Sequence, residues 1–275
     1  MNFTAHNILL DGGQSTMGNE QLLMSDSAIW AAIKKTVDFF IPPDAAVRSN
    51  MKVADLGCLE GGYTVEFARM GFQSAGIEAR AENIKKCNYV KANLNLSNLA
   101  FIEDDARNLS AYGKFDIVYC SGLLYHLHDP VRFLHQLSES TTRLLILNTH
   151  VAPVSDLRYG LGFLNRHLIY PLENQVKFLR RRRNYRLSGI TENEGYRGRW
   201  YREWNEHAER EKVEKILWAS YNNHRSFWLC KRDLTKALHQ AGFKSVFEQF
   251  DFTGDIMPDS FIDENDRSMF VAVKY

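Results

Sequence analysis

The feature that most constrains this chain lies between residues 50 and 150, where short apolar runs alternate with helical stretches. Lys52–Leu56, Gln73–Glu78, Leu99–Glu103, 115–120 and 143–147 read as strands. Between them 64–70, Ala81–Ala92 and 130–137 read as helices, the first closed by Gly71 and the last opened by Pro130. Such alternation builds a parallel sheet with helices on both faces, an α/β Rossmann-like architecture. Lys231–Gln240 resumes it as a helix stopped by Gly242, and 244–250 and 269–273 add two strands, making a mostly parallel sheet of seven.

Flanking segments complete a single domain over 1–275. Ile29, Trp30, Ile33, Val37 and Phe40 recur at helical spacing before Pro42-Pro43, so 1–45 reads as an N-terminal helical cap to the 46–150 core. Residues 151–225 carry no convincing strand pattern and read as a helical and loop insertion, a lid over the active edge. Residues 226–275 complete the sheet, with an acidic loop over 251–266.

Composition excludes several classes. Apolar residues at 45% suffice for a core, and a net charge of +1 gives no global field favouring nucleic acid or membrane. None of the four cysteines, 58, 87, 120 and 230, forms a C-x-x-C pair, so no zinc site is expected. There is no signal-like leader and no long apolar window, so a cytoplasmic chain without a membrane partner is expected. Oligomeric state is not legible.

The chemistry concentrates at strand ends. Asp55-Leu56-Gly57-Cys58-Leu59-Glu60-Gly61-Gly62 follows one strand and precedes a helix, where glycine permits a tight turn and close approach to a ligand. Glu78 ends the next strand, placed to hydrogen-bond both hydroxyls of a ribose, and Asp104-Asp105 ends the third. Ligands bind at the carboxyl ends of strands in such sheets. A nicotinamide dinucleotide would need G-x-G-x-x-G, which Leu59 and Glu60 interrupt, and a carboxylate at that helix start would repel a pyrophosphate.

These three strand ends resemble those of class I S-adenosylmethionine-dependent methyltransferases, most clearly over 50–150. The resemblance implies that Asp55, Gly57 and Cys58 frame the methionine and ribose end of S-adenosylmethionine, with S-adenosylhomocysteine as the product. It implies that Glu78 binds the ribose, Asp105 and the Ala106 amide the adenine, and that Ser121 borders the cofactor. The family usually has glycine where this chain has Leu59. Leu124-Tyr125-His126-Leu127-His128-Asp129-Pro130 resembles both small-molecule methyltransferases and tRNA wobble-uridine carboxymethyltransferases.

Acceptor chemistry is less constrained. His150, or failing that His126, is the candidate base: both follow strands expected to border the methyl group, and a histidine can take a proton from a hydroxyl; a structural role is open for both. Asp129 reads as a helix cap. Tyr125, Arg199, Trp204 and Trp228, with the 220–228 run of amides and aromatics, suit a polar small molecule accepting on a hydroxyl or carboxyl oxygen. The basic tract 177–186 is either a solvated face or an RNA contact. Alternatives are therefore a tRNA-modifying (carboxy)methyltransferase and a non-catalytic cofactor-binding scaffold.

Overall fold

The structure is a computed structural model, and it describes residues 1–18, 20–154, 187–204, 220–250 and 267–275. The basic tract 177–186 and the acidic loop 251–266 lie outside the described residues. Helix α1 (Ala28–Phe40) starts where Ser27 accepts the Trp30 N–H, and α2 (Ala45–Arg48) where Asp44 accepts that of Val47. Then follow β1 (Lys52–Leu56), α3 (Gly62–Arg69), β2 (Gln73–Glu78), α4 (Ala81–Ala92) and β3 (Leu99–Glu103). β4 (Phe115–Ser121), α5 (Pro130–Ser140) and β5 (Thr141–His150) complete the first half.

The main sheet has seven strands in the order β3-β2-β1-β4-β5-β10-β9, where β9 is Ser245–Gln249 and β10 is Arg267–Val273. Its first five strands are parallel, and β10 runs antiparallel to both β5 and β9. Alternate residues of the central strands enter two separate cores, as a sheet covered on both faces requires. Val53, Ile117, Leu144, Ile146 and Val271 pack under α1 and α3 with Trp30, Ile33, Val37 and Phe67. Ala54, Val118, Leu145 and Ala272 face the other way, onto α5 and α6 (Lys231–Gln240), meeting Phe133, Leu137, Leu234 and Leu238.

The insertion departs from the expected absence of strands. Three short strands, β6 (Thr191–Asn193), β7 (Tyr196–Arg202) and β8 (Arg225–Leu229), form a separate antiparallel sheet. Glu194 and Gly195 connect the first two with φ of 53° and 79°, the left-handed pair that suits a two-residue hairpin. The alternation of β7 is masked by its charge: Arg199 is buried, its guanidinium donating to the carbonyls of Pro153 and Ser188. Tyr196, Phe227 and Leu229 then join the core beside α5.

Asp129 sits at the N-cap of α5, but its side chain makes no capping bond. The cap comes from the hairpin instead, because Glu194 accepts the N–H groups of Val131 at 2.9 Å and Arg132 at 2.8 Å. A carboxylate there also meets the positive end of the helix.

Gly198 brings β7 against β8 so closely that a Cβ would lie 2.2 Å from the Trp228 carbonyl oxygen, a backbone atom that cannot move aside alone. Gly198→Ala is expected to destabilise the fold by about 1–3 kcal/mol through overpacking. Urea denaturation checks this, and an unchanged midpoint would contradict the tight approach.

Candidate active site

The loop after β1 sets the site. Gly57 and Gly61 have φ of 65° and 83°, and Leu59, at 55°, adopts the left-handed conformation without being glycine. Two contacts hold Leu59 there: its N–H donates to Glu78 Oε2 at 3.0 Å, and its carbonyl accepts from the Cys87 thiol at 3.3 Å. The loop therefore turns as a glycine would allow, and the neighbouring strand and helix offset the strain.

A cavity of about 490 Å³ opens above the carboxyl ends of β1, β2, β3 and β4, within the size range of ligand pockets. Asp55, Gly57, Cys58, Glu78, Asp105, Ala106 and Ser121 all line it, so the anticipated cofactor residues are brought together. Asp55 is buried, receives the Thr64 hydroxyl at 2.6 Å, and has its pKa raised to about 7, chiefly by burial. Burial likewise raises Glu78, against the hydrogen bonds from the Arg80 and Leu59 amides. For Asp105 burial acts upward, but the paired Arg107 outweighs it and lowers the carboxyl.

Two buried polar groups on this wall await partners. The Asn83 amide lies beside Glu78, yet neither its nitrogen nor its oxygen makes a hydrogen bond of normal geometry among the described residues. The Tyr119 hydroxyl lies beside Tyr63 and Ser121 in the same condition. Buried groups left unmatched are costly, and a polar ligand in the cavity would satisfy them.

The N-terminal arm forms part of the wall, which no periodicity in that polar stretch reveals. Glu60 does not face the cavity. It turns to the arm and accepts the N–H groups of Thr4 at 2.9 Å, Ala5 at 3.0 Å and His6 at 2.9 Å, and pairs with Lys86 at 2.6 Å. Burial alone would raise this carboxyl, but Lys86 and the three amides outweigh it and lower it. His6 Nδ1 in turn accepts the Gly62 N–H at 3.0 Å, at the start of α3. An imidazole thus occupies a donor that a dinucleotide's pyrophosphate would use.

At the opposite end, Tyr125 and His126 line the cavity. His126 Nδ1 lies 2.8 Å from Glu203 Oε1. His128 instead packs on Trp200 with ring centroids 4.7 Å apart. His150 stands behind the wall rather than in it. Its ring stacks on Trp228 at 4.8 Å and meets the edge of Tyr125 at 4.5 Å. Trp228, whose Nε1 donates to the Tyr125 carbonyl, and the buried Arg199 support the wall from outside, and the Trp204 amide donates to the His224 carbonyl. Of the four expected acceptor residues, Tyr125 alone lines the cavity. The run 220–223 does reach it, and so does Arg267, which carried no sequence signal. Among the described residues no three His, Cys, Asp or Glu side chains gather to hold a metal ion, and no helix is long and apolar enough to cross a membrane.

A seven-stranded sheet of this order, with acidic residues ending β1, β2 and β3 around one cavity, is the class I S-adenosylmethionine-dependent methyltransferase fold. Residues 47–156 match the model of the methyltransferase domain family. Over 91 residues it is 34% identical to a tRNA U34 carboxymethyltransferase of Campylobacter hominis, covering 32% of each chain. Over 85 residues it is 32% identical to a ubiquinone biosynthesis O-methyltransferase of Psychrobacter cryohalolentis, covering 30% of this chain and 33% of that one. The matched stretch thus spans about a third of the length of these curated relatives. The N-terminal domain of EvdMO1, crystallised in the presence of SAH and D-fucose, is similar in fold, with a TM-score of 0.62 and 20% identity over 98% of this chain and 90% of that one.

Burial lowers the His6 pKa from 6.5 to about 4. The unfolded chain takes up this proton near 6.5 and the folded chain only near 4. Stability is therefore lost as pH falls across that window, by about 3 kcal/mol in all. Denaturation of the wild type and His6→Gln from pH 7 to 4 should show a shallower loss in the variant. Parallel curves would mean that His6 titrates freely.

Proposed function

We propose that this chain is an S-adenosylmethionine-dependent methyltransferase acting on a hydroxyl or carboxyl oxygen of a small molecule, with His126 as the general base. The observation that carries the reading is one cavity lined by Asp55, Glu78 and Asp105 on one side and His126 on the other. Glu78 and Asn83 would hold the ribose, Asp105 and the Ala106 amide the adenine, and Asp55 the cationic methionine end. A carboxyl with its pKa near 7 suits that last role, since a neighbouring cation favours its ionised form. When bound, the cofactor supplies an electrophilic methyl group on a sulfonium. The chain's own task is to align the acceptor, exclude water and take its proton. His126 lines the cavity, whereas His150 packs behind Tyr125, so the base role goes to His126 and a packing role to His150.

The D-fucose present with the EvdMO1 domain supports placing sugars first among trial acceptors. A tRNA acceptor is the second reading, favoured by the match to the Campylobacter hominis enzyme. A radiolabelled methyl-transfer panel of sugars, phenols, carboxylates and tRNA separates the two. Counts in tRNA alone would overturn the small-molecule reading, and counts in no acceptor would favour a scaffold.

Glu78→Ala should weaken S-adenosylhomocysteine binding by ~1.5–3 kcal/mol in calorimetry, the range for hydrogen bonds to a charged group. Unchanged affinity would remove Glu78 from the site. With an acceptor in hand, His126→Gln should slow transfer by about 10²–10⁴-fold and leave cofactor affinity nearly intact. His150→Gln should retain most of the rate. The reverse ranking would return the base role to His150.

A further inference from the structure

The small antiparallel sheet, outside the matched methyltransferase segment, sends one acidic side chain back to the cavity wall. Glu203 follows β7, and its side chain is 2% exposed. A carboxylate so buried requires full satisfaction by hydrogen bonds. Its Oε1 accepts the Ser226 hydroxyl at 2.7 Å and lies 2.8 Å from His126 Nδ1, and its Oε2 accepts the Ser220 N–H at 3.3 Å. Its own N–H donates to the His224 carbonyl at 2.9 Å. The same segment stitches down the backbone of the histidine turn. Asn223 Nδ2 donates to the His126 carbonyl at 3.1 Å, and the Phe227 N–H to that of Leu127 at 2.8 Å.

We propose that Glu203 is the positioning residue of His126, selecting the tautomer in which Nδ1 carries the proton and Nε2 is the acceptor. An ionised carboxylate only accepts hydrogen bonds, so the nitrogen facing it must be the donor. Ser226 and the Ser220 amide fix the carboxylate, and it fixes the ring. This rests on the methyltransferase reading and assigns a second sheet to its chemistry. As the acceptor oxygen bonds the methyl carbon, its proton passes to Nε2 of His126 while the carbon–sulfur electron pair leaves on sulfur. The positive charge lost from sulfur reappears on the imidazole, beside Glu203. A carboxylate there stabilises the imidazolium and does not itself take the proton.

Nitrogen-15 NMR of histidine-labelled protein with S-adenosylhomocysteine bound reads the tautomer without turnover. His126 is assigned by its loss in His126→Gln and observed at a pH where the ring is neutral. The wild type should show Nδ1 protonated, and Glu203→Gln should move His126 to the other tautomer or to a mixture. If Glu203→Gln fails to fold, Ser226→Ala, which removes one of the hydrogen bonds that fix the Glu203 carboxylate, should give a smaller move in the same direction. A wild-type ring protonated at Nε2, or a tautomer indifferent to both changes, overturns the assignment. On an acceptor from the methyl-transfer panel, Glu203→Gln should lower kcat by about 10²-fold or more with KM for S-adenosylmethionine unchanged. An unchanged kcat also overturns it. Full activity in His126→Gln would overturn the base reading itself, an outcome distinct from a failed tautomer shift.

Discussion

The structure depends on the point between β1 and β4 where the order of strands reverses. These strands lie side by side in parallel, with Leu56 level with Cys120, while β2 and β3 extend to one side and β5 to the other. The chain leaving β1 must turn one way and the chain leaving β4 the other, so their loops diverge and leave a crevice. Asp55 and Gly57 stand on one lip, Ser121 and Gly122 on the other. Every other part of the site is brought to that gap: Glu78 and Asp105 by neighbouring strand ends, His126 by the turn after β4, and the N-terminal arm from outside the sheet.

The loop after β1 shows how a fold tolerates departure from its usual residue. Leucine at position 59 pays a conformational penalty that glycine would not. Its amide nevertheless reaches the Glu78 carboxylate, and its carbonyl takes the Cys87 thiol hydrogen. One side chain at the end of β2 therefore serves the cavity and the backbone that shapes it. Strand, loop and carboxylate behave as a unit, in which altering one member moves the others.

The alternating half of the chain was legible because both its periods are strong and its glycines fall at sharp turns. Asp55, Glu78 and Asp105 could be placed from strand ends alone. Their surroundings could not, because side-chain direction depends on neighbours far along the chain. Glu60 read as a charge at the helix start that would repel a pyrophosphate, yet it is claimed by amides some 55 residues earlier. The stretch of β7 read as part of an insertion without strands because arginines at 197, 199 and 202 hide its alternation, and the burial of Arg199 rests on carbonyls outside its strand. Asp129 read as a cap, but Glu194 comes 62 residues later to serve Arg132. Position in the sequence put His150 ahead of His126, but His126 lines the cavity while His150 is stacked on Trp228 behind it.

The docking of the arm onto Glu60 has a consequence for biosynthesis. A ribosome makes Thr4, Ala5 and His6 well before Glu60 and Lys86, so they must wait while the strand, loop and helix that receive them emerge. Loop closure over such a span is entropically modest but cannot precede its acceptor. A segment synthesised before the sheet thus finds its place after it, and the cavity acquires that wall only after α4 has been added.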